Sequence, residues 1–492
     1  MHKLTILQDG KEKSVLFSGE EKLSALLQRV GAYVPHPCGG RGSCAKCAVC
    51  ITGEVSEPND CEKRAGVRLS CQITVRGDAA VTLPDSRRDE QIETETGVQT
   101  DVLLPMPGRY GAAVDIGTTT LAAKLFDLQT GACLGTAAGL NPQTAVAADV
   151  MGRIGAAMAG SLTLLQDQVT GEIERLLAAC RAQSGITAEP DALVLTGNTT
   201  MLYLLTGRDP TCLSHAPFEA DTLFGGEMQL SGRRTYLPPC MNAFVGADIT
   251  CAVLASGMCE KNDTALLCDI GTNGEMALWK DGTLYVTSTA AGPAFEGAGI
   301  SCGCGSVRGA IDRVWLEDGK LCVHTLGNAK AVGVCGSGLI DAIAAGLESE
   351  QIDETGFLED DTLPLADGVA LVPQDIRAVQ LAKAAIAAGM AVLLETAGVS
   401  LDAVQTLYIA GGFGSHLNVK SAAAIGLLPP EWTNRTQILG NAALSGAVQA
   451  LLNQNAHESL GRIAARAVHV NLGGSPRFNE QYVEHMLFGD DE

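Results

Sequence analysis

The chain has 492 residues, enough for roughly two to four domains with a sizeable core, and a formal charge of −22 at pH 7. Residues 1–90 hold 13 basic and 12 acidic side chains; the remaining 21 basic and 44 acidic ones make an acidic body that argues against a nucleic-acid partner. No run of about eighteen apolar residues occurs and "MHKLTILQDGKEKSVLF" lacks signal-peptide features, so the expectation is a cytoplasmic protein with no membrane partner, its 17 cysteines kept as thiols or metal ligands.

In chain order, "KLTILQDGKEKSVLF" reads as a β-hairpin around an Asp-Gly turn. "SGEEKLSALLQRVG" reads as a short helix, with Ser18 as N-cap and Leu23, Leu26 and Leu27 on one face. A Gly-rich cysteine loop, "CGGRGSCAKC", precedes strand-like "CAVCITGEV" and "RLSCQITVRGDAAVTLP". Residues 1–85 are therefore expected to form a β-grasp, ferredoxin-like domain. Charged, Thr-rich residues 86–109 read as a linker. Residues 110–492 turn Ala/Gly-rich and α/β in character, and are expected to form two lobes, about 110–260 and 261–492.

The cysteine spacing is Cys38-x5-Cys44-x2-Cys47, with Cys71 alone 23 residues beyond. Zinc is one candidate for four thiolates, but zinc ribbons pair two Cys-x2-Cys knuckles and Cys71 has no such mate. Plant-type ferredoxin spacing fits better, with one extra residue in the first gap, and so points to a 2Fe–2S cluster. Gly39, Gly40 and Gly42 would let backbone N–H groups approach the sulfurs. Cys50 and Cys61 could each replace Cys71, although "RLSCQITV" gives Cys71 a loop-to-strand setting.

The body contains an internal echo: "AAVDIGTTTLAAKLFDLQTG" (112–131) returns as "ALLCDIGTNGEMALWKDG" (265–282). Each is an apolar strand, an Asp-Ile-Gly-Thr turn and a second strand, which suggests duplicated halves around a cleft. Gly117 and Gly271 suit tight turns with N–H groups facing anions; Thr118, Thr119, Thr120, Thr272 and Asn273 add donors. Asp115 and Asp269 can hold Mg2+ through water, and Gly411, Gly412 and Gly414 in "YIAGGFG" would let a nucleoside lie against backbone. Asp248 in "FVGADI" is either a helix N-cap or a carboxylate that orients an attacking water.

This order of elements resembles the nucleotide-binding domains of actin, heat-shock chaperones and sugar kinases. More narrowly, the ferredoxin loop with "RLSCQ", then "AVDIGTTT", "NPQTAVAADVMGRI", "TGNTTMLYLLTG", "FVGADI", "DIGTNGEMAL", "AAGPAFEGAGI", "GVCGSGLIDA", "YIAGGFG" and "LGNAALSGA" resemble the reductive activators of corrinoid proteins over nearly the whole chain. That resemblance implies an ATP-hydrolysing iron–sulfur protein of anaerobic one-carbon metabolism. It would pass one electron from a 2Fe–2S cluster to Co(II) of a corrinoid protein in a methyltransferase system, taking electrons from a low-potential donor. A homodimer is compatible with it, but the small domain that longer members carry before the first hairpin is reduced here to residues 86–109. Two other readings share the residues: a metabolite kinase with a redox-sensing head, and a ferredoxin shuttle on a non-hydrolysing scaffold.

Overall fold

A computed structural model describes residues 1–8, 10–30, 32, 34, 40, 42, 47–83, 103–412 and 416–489. The N-terminal hairpin forms from His2–Gln8 and Lys11–Phe17, paired antiparallel from His2↔Phe17 to Gln8↔Lys11. Its first strand lies parallel to Thr74–Thr82, which Ala48–Val55 flanks on the other side. Alternation along Thr74–Thr82 turns Val75 and Val81 inward, onto Leu4, Ile6, Leu23, Leu26 and Leu27. This mixed sheet with one packed helix is the β-grasp arrangement.

Ser18 is not the cap of that helix. Glu21 and Lys22 first pair with Val75 and Thr74, and the helix runs only from Leu23 to Arg29. Cross-strand pairing outcompetes a capping turn there. A second helix, Asp60–Ala65, lies between the strands Ala48–Val55 and Arg68–Leu69. Its capping box is reciprocal: Asn59 Oδ1 accepts from Glu62 N, and Glu62 Oε2 accepts from Asn59 N, both at 3.0 Å.

The body is built on two six-stranded sheets of like design. In one, Tyr110–Ile116, Thr120–Asp127 and Cys133–Leu140 form an antiparallel meander, with Ala192–Gly197 parallel to the first strand on its free side. In the other, Ala265–Ile270, Gly274–Lys280 and Thr283–Thr289 form the meander and Thr406–Ala410 the parallel strand. Asp115 lies beside Thr196 and Asp269 beside Ala410, so the repeated aspartates hold equivalent places. Ala112, Ala113 and Val114 are all fully buried, as a central strand covered on both faces requires.

Two small-residue helices, Ala247–Ser256 and Ala442–Leu452, join the halves. Leu444, Ala447 and Leu451 pack on Ala113, Ala192 and Val194 of the first sheet, while Ile249 and Val253 pack on Leu267 and Tyr408 of the second. The helices cross so closely that a Cβ on Gly446 would lie 2.1 Å from the Cys251 carbonyl oxygen. Residues 103–106 dock on the end of the second helix: Met106 is buried and its N–H donates to Leu451 O.

One helix, Pro373–Ala397, is long and apolar enough to cross a membrane by length and composition. Its most apolar stretch is 78% buried inside the fold, which makes it the core helix of the second half.

Candidate functional site

Cys47 and Cys71 meet at the loop end of the N-terminal sheet, their sulfurs 3.3 Å apart. Cys47 opens the strand Ala48–Val55; Cys71 sits in the turn between Arg68–Leu69 and Thr74–Thr82. That turn is held by Ser70 N donating to Cys47 O at 2.9 Å, and by Glu62 Oε1 accepting from Leu69 N and Arg68 Nε, each at 2.9 Å. Gln72 Nε2 donates to Gly40 O at 2.5 Å and to Cys71 Sγ at 3.4 Å, aiming an amide dipole at the sulfur. Gly40 has a φ of 77°, and a Cβ there would come within 3.8 Å of Cys71 Cβ.

Sulfurs on one tetrahedral metal ion at about 2.3 Å sit roughly 3.7 Å apart, so this pair fits two thiolates on a single metal ion. Contact with Cys71, together with burial, holds the Cys47 thiol well above its usual range; a metal would replace that shared proton. Cys50 is exposed on its strand, and Cys61 lies beside Gly42, whose added Cβ would stand 3.1 Å from Cys61 Cβ. Cys38, Cys44 and Gly39 lie outside the described residues.

In the body, one cleft cavity of about 310 Å³ gathers Asp115, Gly117, Thr118, Thr119, Thr120, Asp248, Asp269, Gly271, Thr272, Asn273, Gly411 and Gly412. Gly414 lies outside the described residues. Residues from positions 115 to 412 thus meet at one place, because both hairpins turn toward the space between the sheets. The two glycines' own N–H groups close the turns: Gly117 N donates to Thr120 O at 2.9 Å and Gly271 N to Asn273 O at 3.0 Å. Closing a tight turn uses those donors, so a ligand would meet the neighbouring helix ends and the Thr hydroxyls, of which Thr119 and Thr272 donate to Glu296.

Asp248 is not an N-cap. Gly246 holds that position, and Asp248 stands in the first turn, where its Oδ1 accepts from Ile249 N at 2.8 Å. The side chain faces the other carboxylates. Burial pushes Asp115 up to about 6, against a hydrogen bond from Asn441. Burial, with the charges of Asp115 and Glu296, pushes Asp269 to about 7. Asp248 rises to about 8 through burial and the charges of Asp115 and Asp269. Glu275, directly opposite Asp269 across the second hairpin, is raised well above the carboxylate range by burial and by Asp248 and Asp269.

Neither Lys nor Arg is among the described residues that line the cleft. A cation entering with a polyphosphate would offset these carboxylates. Among the described residues no three His, Cys, Asp or Glu side chains converge on a metal position. Three helices of ten or more residues, Ala247–Ser256, Gly336–Glu348 and Ala442–Leu452, turn their N-terminal ends to the cleft and present positive potential to an anion.

Several lining residues escape a reading of the sequence. Asn198 caps the helix Thr199–Leu205 and donates to Thr118 Oγ1 at 3.1 Å; its place before "TT" was a legible capping signal. Asn141 Nδ2 donates to Gly117 O at 2.8 Å, and the fully buried Arg153 donates to Thr118 O, so "NPQTAVAADVMGRI" buttresses the first turn from behind. Asn441 carries the same capping signal before Ala442–Leu452, whereas Glu275 and Glu296 carry none.

Residues 263–492 match the family described as the C-terminal domain of RACo, the ASKHA domain; residues 110–261 match the RACo middle region, and residues 6–76 the 2Fe-2S iron-sulfur cluster binding domain. The chain is 34% identical over 421 residues to the corrinoid activation enzyme RamQ of Eubacterium limosum, covering 77% of this chain and 70% of that one. It is 26% identical over 421 residues to the [Co(II) methylated amine-specific corrinoid protein] reductase of Methanosarcina barkeri, covering 77% of each. Among solved structures, a reductive activator for corrinoid, iron-sulfur protein superposes with a TM-score of 0.72 at 26% identity, over 99% of this chain and 98% of that one.

Proposed function

The chain belongs to the family of reductive activators of corrinoid proteins, and on that premise we propose that it couples MgATP hydrolysis to the return of one electron to Co(II) of a corrinoid protein, regenerating Co(I) for methyl transfer. The observation that carries this reading is the joining, in one chain, of a thiol pair suited to iron with an acid-lined, two-hairpin cleft.

A 2Fe–2S cluster supplies single electrons at roughly −400 mV. Cys47 and Cys71, with Cys38 and Cys44 from the same loop, would hold it, and the Gln72 amide favours the more negative state of the sulfur it faces. The Co(II)/Co(I) couple is taken to lie lower by on the order of a few hundred millivolts, so the transfer costs several kcal/mol at about 2.3 kcal/mol per 100 mV. Nucleotide chemistry in the cleft is the source assigned to that energy.

Asp115 and Asp269 would orient hydrated Mg2+ from the two hairpins. Thr118, Thr119, Thr272 and Asn273 would donate to phosphate oxygens, Gly411, Gly412 and Gly414 would lie against the nucleoside, and Asp248 would take a proton from the attacking water. Partner requirements follow: a corrinoid protein of a methyltransferase system and a low-potential electron donor, meeting the protein in the cytoplasm. The full chain is mixed with a corrinoid protein in the Co(II) state, a low-potential reductant and Mg2+, and Co(I) absorbance is followed with and without ATP. Co(I) formation that needs ATP supports the proposal; equal rates without ATP would refute the coupling.

A further inference from the structure

Glu296 lies on the single turn Pro293–Glu296 of the second half, yet it touches both hairpin turns. Its Oε2 accepts from Thr119 Oγ1 of the first hairpin at 2.7 Å; its Oε1 accepts from Thr272 N and Thr272 Oγ1 of the second, each at 2.8 Å. Those hydroxyls are the groups that a polyphosphate would need. A carboxylate and a phosphate oxygen are chemically alike here, since both are anionic and only accept.

The position of the carboxylate is fixed from the second half. Gly292 N donates to Thr272 O at 2.9 Å, and Phe295 is 1% exposed in the core. Gly297 follows at φ 73°, where a Cβ would stand 2.5 Å from the Cys304 carbonyl oxygen, so the backbone cannot move far on that side. Of the bonds Glu296 accepts, the one from Thr119 thus crosses between halves, joining residues 177 positions apart.

We propose that Glu296 is a positioning residue that competes with phosphate oxygens for Thr119 and Thr272, setting both the spacing of the two hairpins and the affinity for MgATP. This rests on the nucleotide reading of the cleft. Binding exchanges one anion for another on the same donors, and the displaced carboxylate releases the first hairpin from the second. An internal competitor of this kind keeps nucleotide affinity modest and ties occupancy of the cleft to the separation of its walls.

The test uses the full-length protein with its cluster, as Glu296→Ala and Glu296→Gln, with MgATP affinity measured by titration calorimetry and kcat and KM for ATP measured separately. Glu296→Ala is expected to bind MgATP more tightly by on the order of tenfold, about the contribution of one charge-assisted hydrogen bond, with KM falling in step. Glu296→Gln keeps the shape but loses the charge and is expected to fall between. In a Thr119→Val background the gain from Glu296→Ala should shrink, because the crossing donor is gone. Unchanged or weaker binding in Glu296→Ala overturns the proposal, as does a lost kcat at unchanged affinity, which would make Glu296 a catalytic group. Should the alanine variant fail to fold, equal or weaker binding by Glu296→Gln overturns it. A wild-type chain that binds no MgATP instead removes the nucleotide reading itself.

Discussion

Asn441 donates its side-chain amide to Oδ2 of Asp115 at 3.0 Å, across 326 positions of sequence. The same side chain caps the helix Ala442–Leu452, where its Oδ1 accepts from Leu444 N at 2.8 Å. One residue therefore ends a helix and steadies the first hairpin's carboxylate. Asn441→Ala should lose about 0.5–2 kcal/mol of stability as a lost cap. It should also let the Asp115 carboxyl, already pushed up to about 6, rise further. Ionised Asp115 is the form that attracts Mg2+, so the acid limb of ATP turnover should move to higher pH. The profile of kcat/KM against pH checks this, and an unmoved limb would show that Asp115 does not control it.

Stability should depend on pH with a definite sign. Asp115, Asp269 and Asp248 are raised to about 6, 7 and 8 in the folded protein, chiefly by burial. A folded state that holds protons more tightly keeps that stabilisation below an unfolded value near about 4 and loses it as pH rises through about 6 to 8. Protein stripped of Mg2+ and nucleotide should melt at lower temperature at pH 8 than at pH 5.5, and Mg2+ should restore more at pH 8. Asp248→Asn should gain on the native chain as pH rises; a melting difference that is constant with pH would remove Asp248 as a source.

The thiol pair makes a sharp distinction among neighbouring cysteines. Cys71→Ala should lose the iron, the sulfide and the visible absorption, whereas Cys50→Ala and Cys61→Ala should keep them, since Cys71 is the one 3.3 Å from Cys47. Iron and sulfide analysis of anaerobically purified variants decides it. Normal iron content in Cys71→Ala would sink the ligand assignment.

Two changes in the cleft should act alike through one carboxylate. Asp269→Ala removes it. Gly411→Ala places a methyl group 2.5 Å from Asp269 Oδ1, at a φ of 94° that L-residues rarely adopt. Both should reduce ATP turnover by at least about 100-fold, the scale of losing one positioned electrostatic group. The cluster absorption should be untouched, because the two sites are carried by different sheets. Full turnover in Gly411→Ala would show that Asp269 is free to move.

Gly446 tests the helix crossing that joins the halves. Its missing Cβ would stand 2.1 Å from the Cys251 carbonyl oxygen, so Gly446→Ala forces the helices apart. Overpacking of this kind costs about 1–3 kcal/mol. Denaturant unfolding should show that loss while the iron content stays normal.

What the sequence determined by itself is local. Alternating apolar residues around short polar turns made both Asp-Ile-Gly-Thr hairpins legible, because a hairpin's partners lie within about twenty residues. Cysteine spacing pointed to the cluster for the same reason, and the Asn59-x-x-Glu62 box could have revealed the helix Asp60–Ala65. Other features were decided by the tertiary structure alone. Whether Gly117 N faced an anion or closed its own turn depended on where Thr120 O came to lie. Asp248 reads equally well as a cap until Gly246 is seen to hold that position. Glu296 and Asn441 meet Thr119 and Asp115 across 177 and 326 residues, and those contacts exist only because two sheets, joined by a close helix crossing, bring their hairpins to one cleft. No local propensity encodes such a meeting, since it depends on the packing of whole layers and not on the residues that finally touch.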